Sequence, residues 1–228
     1  MPKKALQDYV AGLSSEFLPV LEGYDHSDYF PLDLSVTNTE LDSVDTTSAE
    51  AIANYIDNKT KQAGRKLAYG GYLEKRSIYN RSDHFIKEGS LVQRDIHLGM
   101  DLWAPAATPV LAAADGILHS FRNNNNFGNY GPCIILEHKV GNQKFYTLYG
   151  HLSRKSLLGL RSHAVIKRGT CIGTLGDASE NGDYAPHLHF QLIADMQGKA
   201  GDYPGVCSSG EVEFYKANCP DPNLLLHI

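Results

Sequence analysis

Between residues 91 and 194 the chain never sustains an apolar period of helical length. It runs instead through short apolar segments, "TPVLAAADGILHSF", "GPCIILEH", "KFYTLYGHL", "AVIKRGTCIGTLG" and "HLHFQLI". Each is of strand length, β-branched or aromatic in character, and bounded by turn residues. Four asparagines at 123–126, followed by Phe127 and Gly128, make a loop between two of them. The pattern predicts an all-β core over 91–194: an open antiparallel barrel or sandwich-like sheet, with a groove across its strand ends.

The flanks read differently. Residues 1–90 form an amino-terminal extension, partly helical. Thr47 with Glu50 reads as a capping box, Ile52, Tyr55 and Ile56 recur at helical spacing, and Gly64 is a stop. These predict a helix near 48–63. The stretch "KLAYGGYLEKRSIYNRSDHF" reads first as an aromatic packing segment, and second as one wall of a substrate groove. Residues 195–228 carry Pro204, Pro220 and Pro222 and predict an irregular carboxy-terminal strap on the core.

At 228 residues and 42% hydrophobic content, the chain can bury one sizeable core. Its net charge of −5, without any Lys/Arg run, argues against a nucleic-acid partner. No apolar stretch approaches a membrane span. The opening "MPKKALQDYVAGLSSEFLP" breaks its apolar residues with Gln7, Asp8 and Glu16, so no signal peptide is read. The expectation is a cytoplasmic address if Met1 is the native start, and the cell envelope otherwise. The four cysteines include no C-x-x-C pair, which argues against a structural zinc knuckle. Cys133 and Cys171 read as buried thiols; Cys207 and Cys219 lie in a loop-rich tail where they could bridge, and read first as free thiols under a cytosolic address.

Three clusters can carry chemistry. In "PHLHF", His187 and His189 share one face of a strand, with Leu188, Phe190 and Leu192 on the other. In "HLGMD", His97 and Asp101 sit where a loop runs into a strand, because Gly99 and the following "WAPAATP" disfavour a helix. In "LYGHL", His151 follows Gly150 at a strand end. Each cluster alone reads as ordinary polar surface at least as readily as a site. Together they match the donor set of a catalytic zinc, which takes three His or Asp/Glu ligands and leaves a position open. His97, Asp101 and one member of the H-x-H pair can fill that set. His151 and the other member remain for proton transfer and oxyanion stabilisation.

The order H-x-x-x-D, then Y-G-H-L, then P-H-L-H-F resembles the signature of the lysostaphin-type (LytM-like) zinc metalloendopeptidases, a family with a duplicated hybrid motif fold. The framework "HLGMDLWAPAATPVLAAADGIL", "GNYGPCIILEH" and "VIKRGTCIGTLGDASENGDYAPHLHFQL" is similar as well, over about residues 91–194. The resemblance implies one Zn2+ held by His97, Asp101 and His189, with His151 and His187 as the catalytic pair, their roles unassigned between them. It implies a peptide substrate of the peptidoglycan cross-link type. Exported members often carry a tyrosine shortly before the first ligand; residues 83–96 have none, and Tyr130, Tyr149 and Tyr184 are the substitutes on offer.

Three other readings compete. A non-catalytic relative that binds and regulates wall hydrolases would lack ligands, and here the set is whole. A phosphohistidine relay would place Asp101 against a phosphate, which like charge opposes. A carboxypeptidase-like zinc site needs a longer His-to-Asp spacing and a Glu base that this chain does not offer.

Overall fold

The computed structural model describes residues 10, 12, 17–86 and 92–228; most of the opening stretch lies outside them. The apolar runs read from sequence become strands, and alternation decides which face each side chain takes. The central ones are β4 (Met100–Trp103), β6 (Gly116–Asn124), β7 (Gly131–Val140), β8 (Gln143–Gly150) and β11 (Leu188–Ile193). With β1 (Tyr29–Pro31), β2 (Leu67–Gly70) and β9 (Val165–Ile166) they form an eight-stranded sheet in the order β1-β2-β4-β11-β8-β7-β6-β9. Two small sheets flank it: β5 (Pro109–Leu111) with β10 (Cys171–Thr174), and β3 (Ile96–His97) with β12 (Val206–Cys207). The all-β core expected from sequence is present, and its main sheet stays open.

Leu188, Phe190 and Leu192 of β11 pack into the main core with Leu102, Ile134, Leu136 and Tyr149. Each fully buried aliphatic or aromatic side chain contributes about 1.5–3 kcal/mol relative to exposure. On the opposite face, Ile135, Leu148 and Ile193 pack under Tyr203, Cys207 and Cys219 of the carboxy-terminal segment. His189 and Gln191 lie on that second face, beneath the strap.

Several expectations need correction. The sheet is not wholly antiparallel, because β1 and β2 pair in parallel. The amino-terminal region does more than pack on the core: β2 hydrogen-bonds directly to β4, so the main sheet includes strands from the extension. The helix α1 spans Ala49–Gln62, and Ser48 rather than Thr47 caps it, its hydroxyl accepting from the Ala51 N–H. Thr47 is engaged instead with Asp45 Oδ1 through both its N–H and its hydroxyl. The carboxy-terminal strap contains two short helices, α2 (Val212–Asn218) and α3 (Asn223–Leu226). Cys171 is exposed, not buried, because Ile172 takes the inward position on β10. Cys133, Cys207 and Cys219 are buried free thiols. No helix among the described residues is long and apolar enough to cross a membrane.

Candidate metal centre

Strand register assembles the site. His189 on β11 lies directly opposite Asp101 on β4 and, on its other side, opposite Gly150 of β8. That places His151, the residue after Gly150, beside the pair. His97 arrives from β3, which Val206 and Cys207 of the strap hold in place. The result brings together all five residues singled out from sequence: His97, Asp101, His151, His187 and His189, each at most 6% exposed.

His97 Nε2 and His189 Nδ1 stand 2.8 Å apart, and each is 3.3 Å from Asp101 Oδ1. The far nitrogen of each ring shows which atoms are donors. His97 Nδ1 is 3.0 Å from the Gly71 carbonyl, which can only accept, so the proton sits on Nδ1. His189 Nε2 is 2.9 Å from Gln191 Oε1, whose amide is oriented by donation from Nε2 to the Pro204 carbonyl. His189 therefore carries its proton on Nε2. Both facing nitrogens then present lone pairs, and Asp101 Oδ1 is a buried oxygen without a hydrogen bond among the described residues. Three electron-pair donors pointing at one another repel unless a cation sits among them. The donor set fits zinc, which favours His nitrogen and carboxylate oxygen at a three-residue site with an open position.

Two glycines make room for these rings. A Cβ on Gly99 would meet His189 Cε1 at 2.6 Å, and one on Gly71 would meet His97 Nδ1 at 2.8 Å.

Arg76 holds the other oxygen of Asp101. It is 4% exposed, donates from Nη1 to Asp101 Oδ2 at 2.5 Å and from Nε to Glu74 Oε2, and lies 5.6 Å over the Trp103 ring. Burial pushes the Asp101 carboxyl up, but His97, Arg76 and His187 together hold it well below the usual carboxylate range. Burial also pushes His97 down to about 4, so it stays neutral and able to ligate.

His151 and His187 stand beside the three donors, their ring centroids 4.2 Å apart. His151 Nδ1 donates to the Asn181 carbonyl at 2.7 Å, and His187 Nδ1 to the Ala185 carbonyl at 2.7 Å. Each Nε2 is left as the basic atom. His187 Nε2 is 3.7 Å from Asp101 Oδ1. Burial lowers the proton affinity of both rings, with the His151–His187 neighbourhood lowering His151 further. His151 has φ of +61°, an uncommon left-handed conformation outside glycine. The turn that aims the imidazole is thus made at His151 itself. Gly150 serves a different need: its absent side chain admits the Tyr130 ring, whose Cδ1 lies 2.7 Å from where a Cβ would stand.

A cavity of about 400 Å³ contains these groups. Its roof comes from residues 76–86. Tyr79 stacks on His97 at 6.5 Å and packs against Phe85 at 4.7 Å. Arg81 ties this segment down by donating to the Asp183 carbonyl at 2.6 Å, under the Phe127 and Tyr184 rings. The stretch read as packing or groove wall is both at once.

Among the proposed tyrosine substitutes, the Tyr149 hydroxyl accepts from Ala113 N–H deep in the main core, away from the site. Tyr184 donates to the Gly128 carbonyl, and its ring lies 5.0 Å from His151. Tyr130 has its hydroxyl 3.4 Å from His189 Nε2. Tyr79, Arg76, Gln191 and Asn181 were not singled out from sequence. Gln191 had one available signal, its i+2 position after His189 on the same strand face; Arg76 and Tyr79 had none, because Tyr79 reaches His97 and Arg76 reaches Asp101 across 18 and 25 residues only once the chain folds.

Comparison with known proteins gives a family match over part of the chain. Residues 95–202 match the profile of peptidase family M23. This stretch is similar to the M23 peptidases. Among curated relatives, the DD-carboxypeptidase/endopeptidase Mpg of Neisseria meningitidis is 34% identical over 102 residues, 45% of this chain and 21% of that protein. The peptidoglycan DD-endopeptidase ShyC of Vibrio cholerae is 32% identical over 99 residues, 43% of this chain and 20% of its own length. The chain thus spans about a fifth of the length of the curated relatives it matches. The catalytic domain of the antimicrobial peptidase lysostaphin from Staphylococcus simulans superposes with a TM-score of 0.43 at 22% identity, covering 72% of this chain and 97% of that one. The M23 match begins two residues before His97 and ends beyond β11, so it includes all five site residues but not Arg76 or Tyr79.

Proposed function

We propose that this chain is a zinc-dependent peptidase acting on peptides of the peptidoglycan cross-link type. The observation that carries the reading is the convergence of three lone-pair donors, His97 Nε2, Asp101 Oδ1 and His189 Nδ1, beside two further imidazoles with free Nε2 atoms. The peptidoglycan activity named for the Vibrio cholerae relative supports the substrate class.

His97, Asp101 and His189 would hold the ion, which supplies Lewis acidity toward a scissile carbonyl and acidifies water. His187 takes the attacking water's proton on Nε2. It is the nearer of the two bases to Asp101, whose charge raises its proton affinity against the larger lowering by burial. The proton then passes to the leaving amine, completing hydrolysis with one water consumed. His151, fixed by the Asn181 carbonyl and packed beside His187, offers a second basic Nε2 that helps carry this proton toward the leaving amine. Gly71, Gln191 and Pro204 keep the ligand tautomers, and Arg76 occupies Asp101 Oδ2, leaving Oδ1 to face His97 and His189.

Mass spectrometry of wall-peptide digests with zinc-loaded protein, against a chelated control, tests the reading. His189→Ala is expected to lose zinc, and His151→Ala to keep zinc while losing at least about a hundred-fold in turnover, the usual scale for a general acid–base group. Equal zinc loss in both variants would refute this division of roles, and absence of any zinc-dependent cleavage would refute the peptidase.

A further inference from the structure

The four asparagines at 123–126 and the phenylalanine after them have no part in the metal centre. Asn124 turns inward, where its amide donates to the Gly201 carbonyl at 3.0 Å. Asn125 and Asn126 are exposed, and their side chains make no hydrogen bond among the described residues. Asparagine usually serves a loop through a left-handed φ or a bond to nearby backbone. Neither holds here, because the left-handed residue of the turn is Gly128, at φ +80°. The Asn129 N–H donates to the Asn126 carbonyl, which closes a four-residue turn with Phe127 at its tip. Phe127 is 52% exposed although the turn is anchored on three sides. Ser82 Oγ donates to the Phe127 carbonyl at 3.1 Å, the Gly128 N–H to the Gly182 carbonyl at 3.1 Å, and the Tyr184 hydroxyl to the Gly128 carbonyl at 2.8 Å. Asn126 and Phe127 line an open groove of about 510 Å³ with Asn80, Arg81, Asp83 and His84. Arg81 and His84 also line the metal cavity, as do Gly128 and Asn129 of the same turn. Groove and cavity are thus two sides of one wall.

We propose that this groove binds an N-acetylated amino sugar of a glycan strand, with one sugar ring stacked on Phe127. The proposal rests on the peptidase reading and adds to it the polymer from which the peptide hangs. A pyranose has an apolar face of C–H groups and a rim of hydroxyls. A ring held out on an anchored turn covers the apolar face with little freedom left to lose on binding. The Asn80 and Asn126 carboxamides each donate and accept, which matches an acetamido group offering one N–H and one carbonyl. The exposed Asp83 carboxylate has no ion pair among the described residues and can accept from hydroxyls. Charge disfavours other occupants. Arg81 is already engaged with the Thr47 and Asp183 carbonyls, and burial with nearby Arg94 keeps His84 neutral at pH 7. Asp83 is then the formal charge left facing the groove, which repels a polyanion or an acidic peptide. Continuity supplies the remaining argument. A peptide whose scissile bond reaches the metal needs its sugar on the far side of the shared wall, where Phe127 stands.

Binding is read by NMR titration of the full chain with triacetylchitotriose and with cellotriose, which lacks the acetamido groups. The acetylated trimer is expected to bind about ten-fold more tightly, the scale of one or two hydrogen bonds. Phe127→Ala should weaken it by about ten-fold, the scale of one aromatic contact, and Phe127→Tyr should keep it. Asn126→Ala, on an exposed side chain, should give a loss of about three-fold. Cleavage is read on the zinc-loaded full chain with a cross-linked peptide dimer, either free or still carrying its disaccharides. In Phe127→Ala the ratio of kcat/KM for the glycan-linked dimer over the free dimer should fall about ten-fold. No binding of the trimer, binding unchanged in both Phe127→Ala and Asn126→Ala, or an unchanged cleavage ratio overturns the sugar groove. Displacement of the trimer by the free peptide dimer also overturns it, because a peptide then occupies the groove. Absence of cleavage by the parent, with trimer binding still dependent on Phe127, overturns the peptidase and upholds the sugar groove.

Discussion

Asp101 gives its two oxygens different work. Oδ2 accepts from the Arg76 guanidinium, and Oδ1 is left facing His97 and His189. Without Arg76, both oxygens could swing toward a cation, and the half-buried Glu74 would lose its one guanidinium partner. Gly71 completes the arrangement: its φ of +105° and bare Cα let the Arg76 guanidinium and the His97 ring close over the backbone. Lysine at position 76 keeps the charge but offers one point where the guanidinium bridges two carboxylates. Arg76→Lys is therefore expected to leave a folded protein whose zinc affinity is weaker by about 10–100-fold, the range for outer partners of metal ligands. Competition with a chromophoric chelator measures it, and unchanged affinity would remove Arg76 from the metal site.

The elements show where local pattern suffices and where it does not. β11 was legible because alternation puts Leu188, Phe190 and Leu192 in the core and both histidines opposite, and the structure keeps that parity. The helix α1 was legible from the spacing of Ile52 and Ile56, but its cap shifted by one residue. Thr47 and Ser48 are both good capping residues; an Asx-type turn on Asp45 takes Thr47, and nothing local decides between them. Ser48→Ala is expected to cost about 1 kcal/mol in urea unfolding and Thr47→Ala clearly less, since only Ser48 satisfies an orphan N–H of the first turn. The reverse order would contradict this cap. The two-residue pairing of β3 with β12 had no local signal at all. It joins His97 to Val206 across more than a hundred residues, and such pairing is set by tertiary contact. The same holds for the helices α2 and α3, which are too short to form by propensity and exist by packing on the sheet.

At the scale of the whole molecule, one sheet serves two cores. His97, His151, His187 and His189 converge beside it, whereas His138 lies in β7 away from them. It is 2% exposed, donates from Nδ1 to the Asp115 carbonyl at 2.8 Å and accepts on Nε2 from the Thr147 hydroxyl at 2.7 Å. Burial lowers its proton affinity below the ordinary value of 6.5, more than the Asp115 carbonyl, Asp115 and Glu137 raise it. The unfolded chain therefore takes up this proton first as pH falls. Its contribution to stability is complete above about 6.5 and declines below it, by at most about 1.4 kcal/mol per pH unit for one proton. The site histidines titrate in both the parent and a variant, so their share cancels in the difference between the two. His138→Asn is destabilised at pH 7.5 by loss of a packed ring. Because the parent alone pays for His138 in acid, that difference is expected to shrink by about 1 kcal/mol between pH 7.5 and pH 5. Urea unfolding of both proteins at the two pH values measures it, and a difference that stays constant would mean that His138 titrates alike in the folded and unfolded chain.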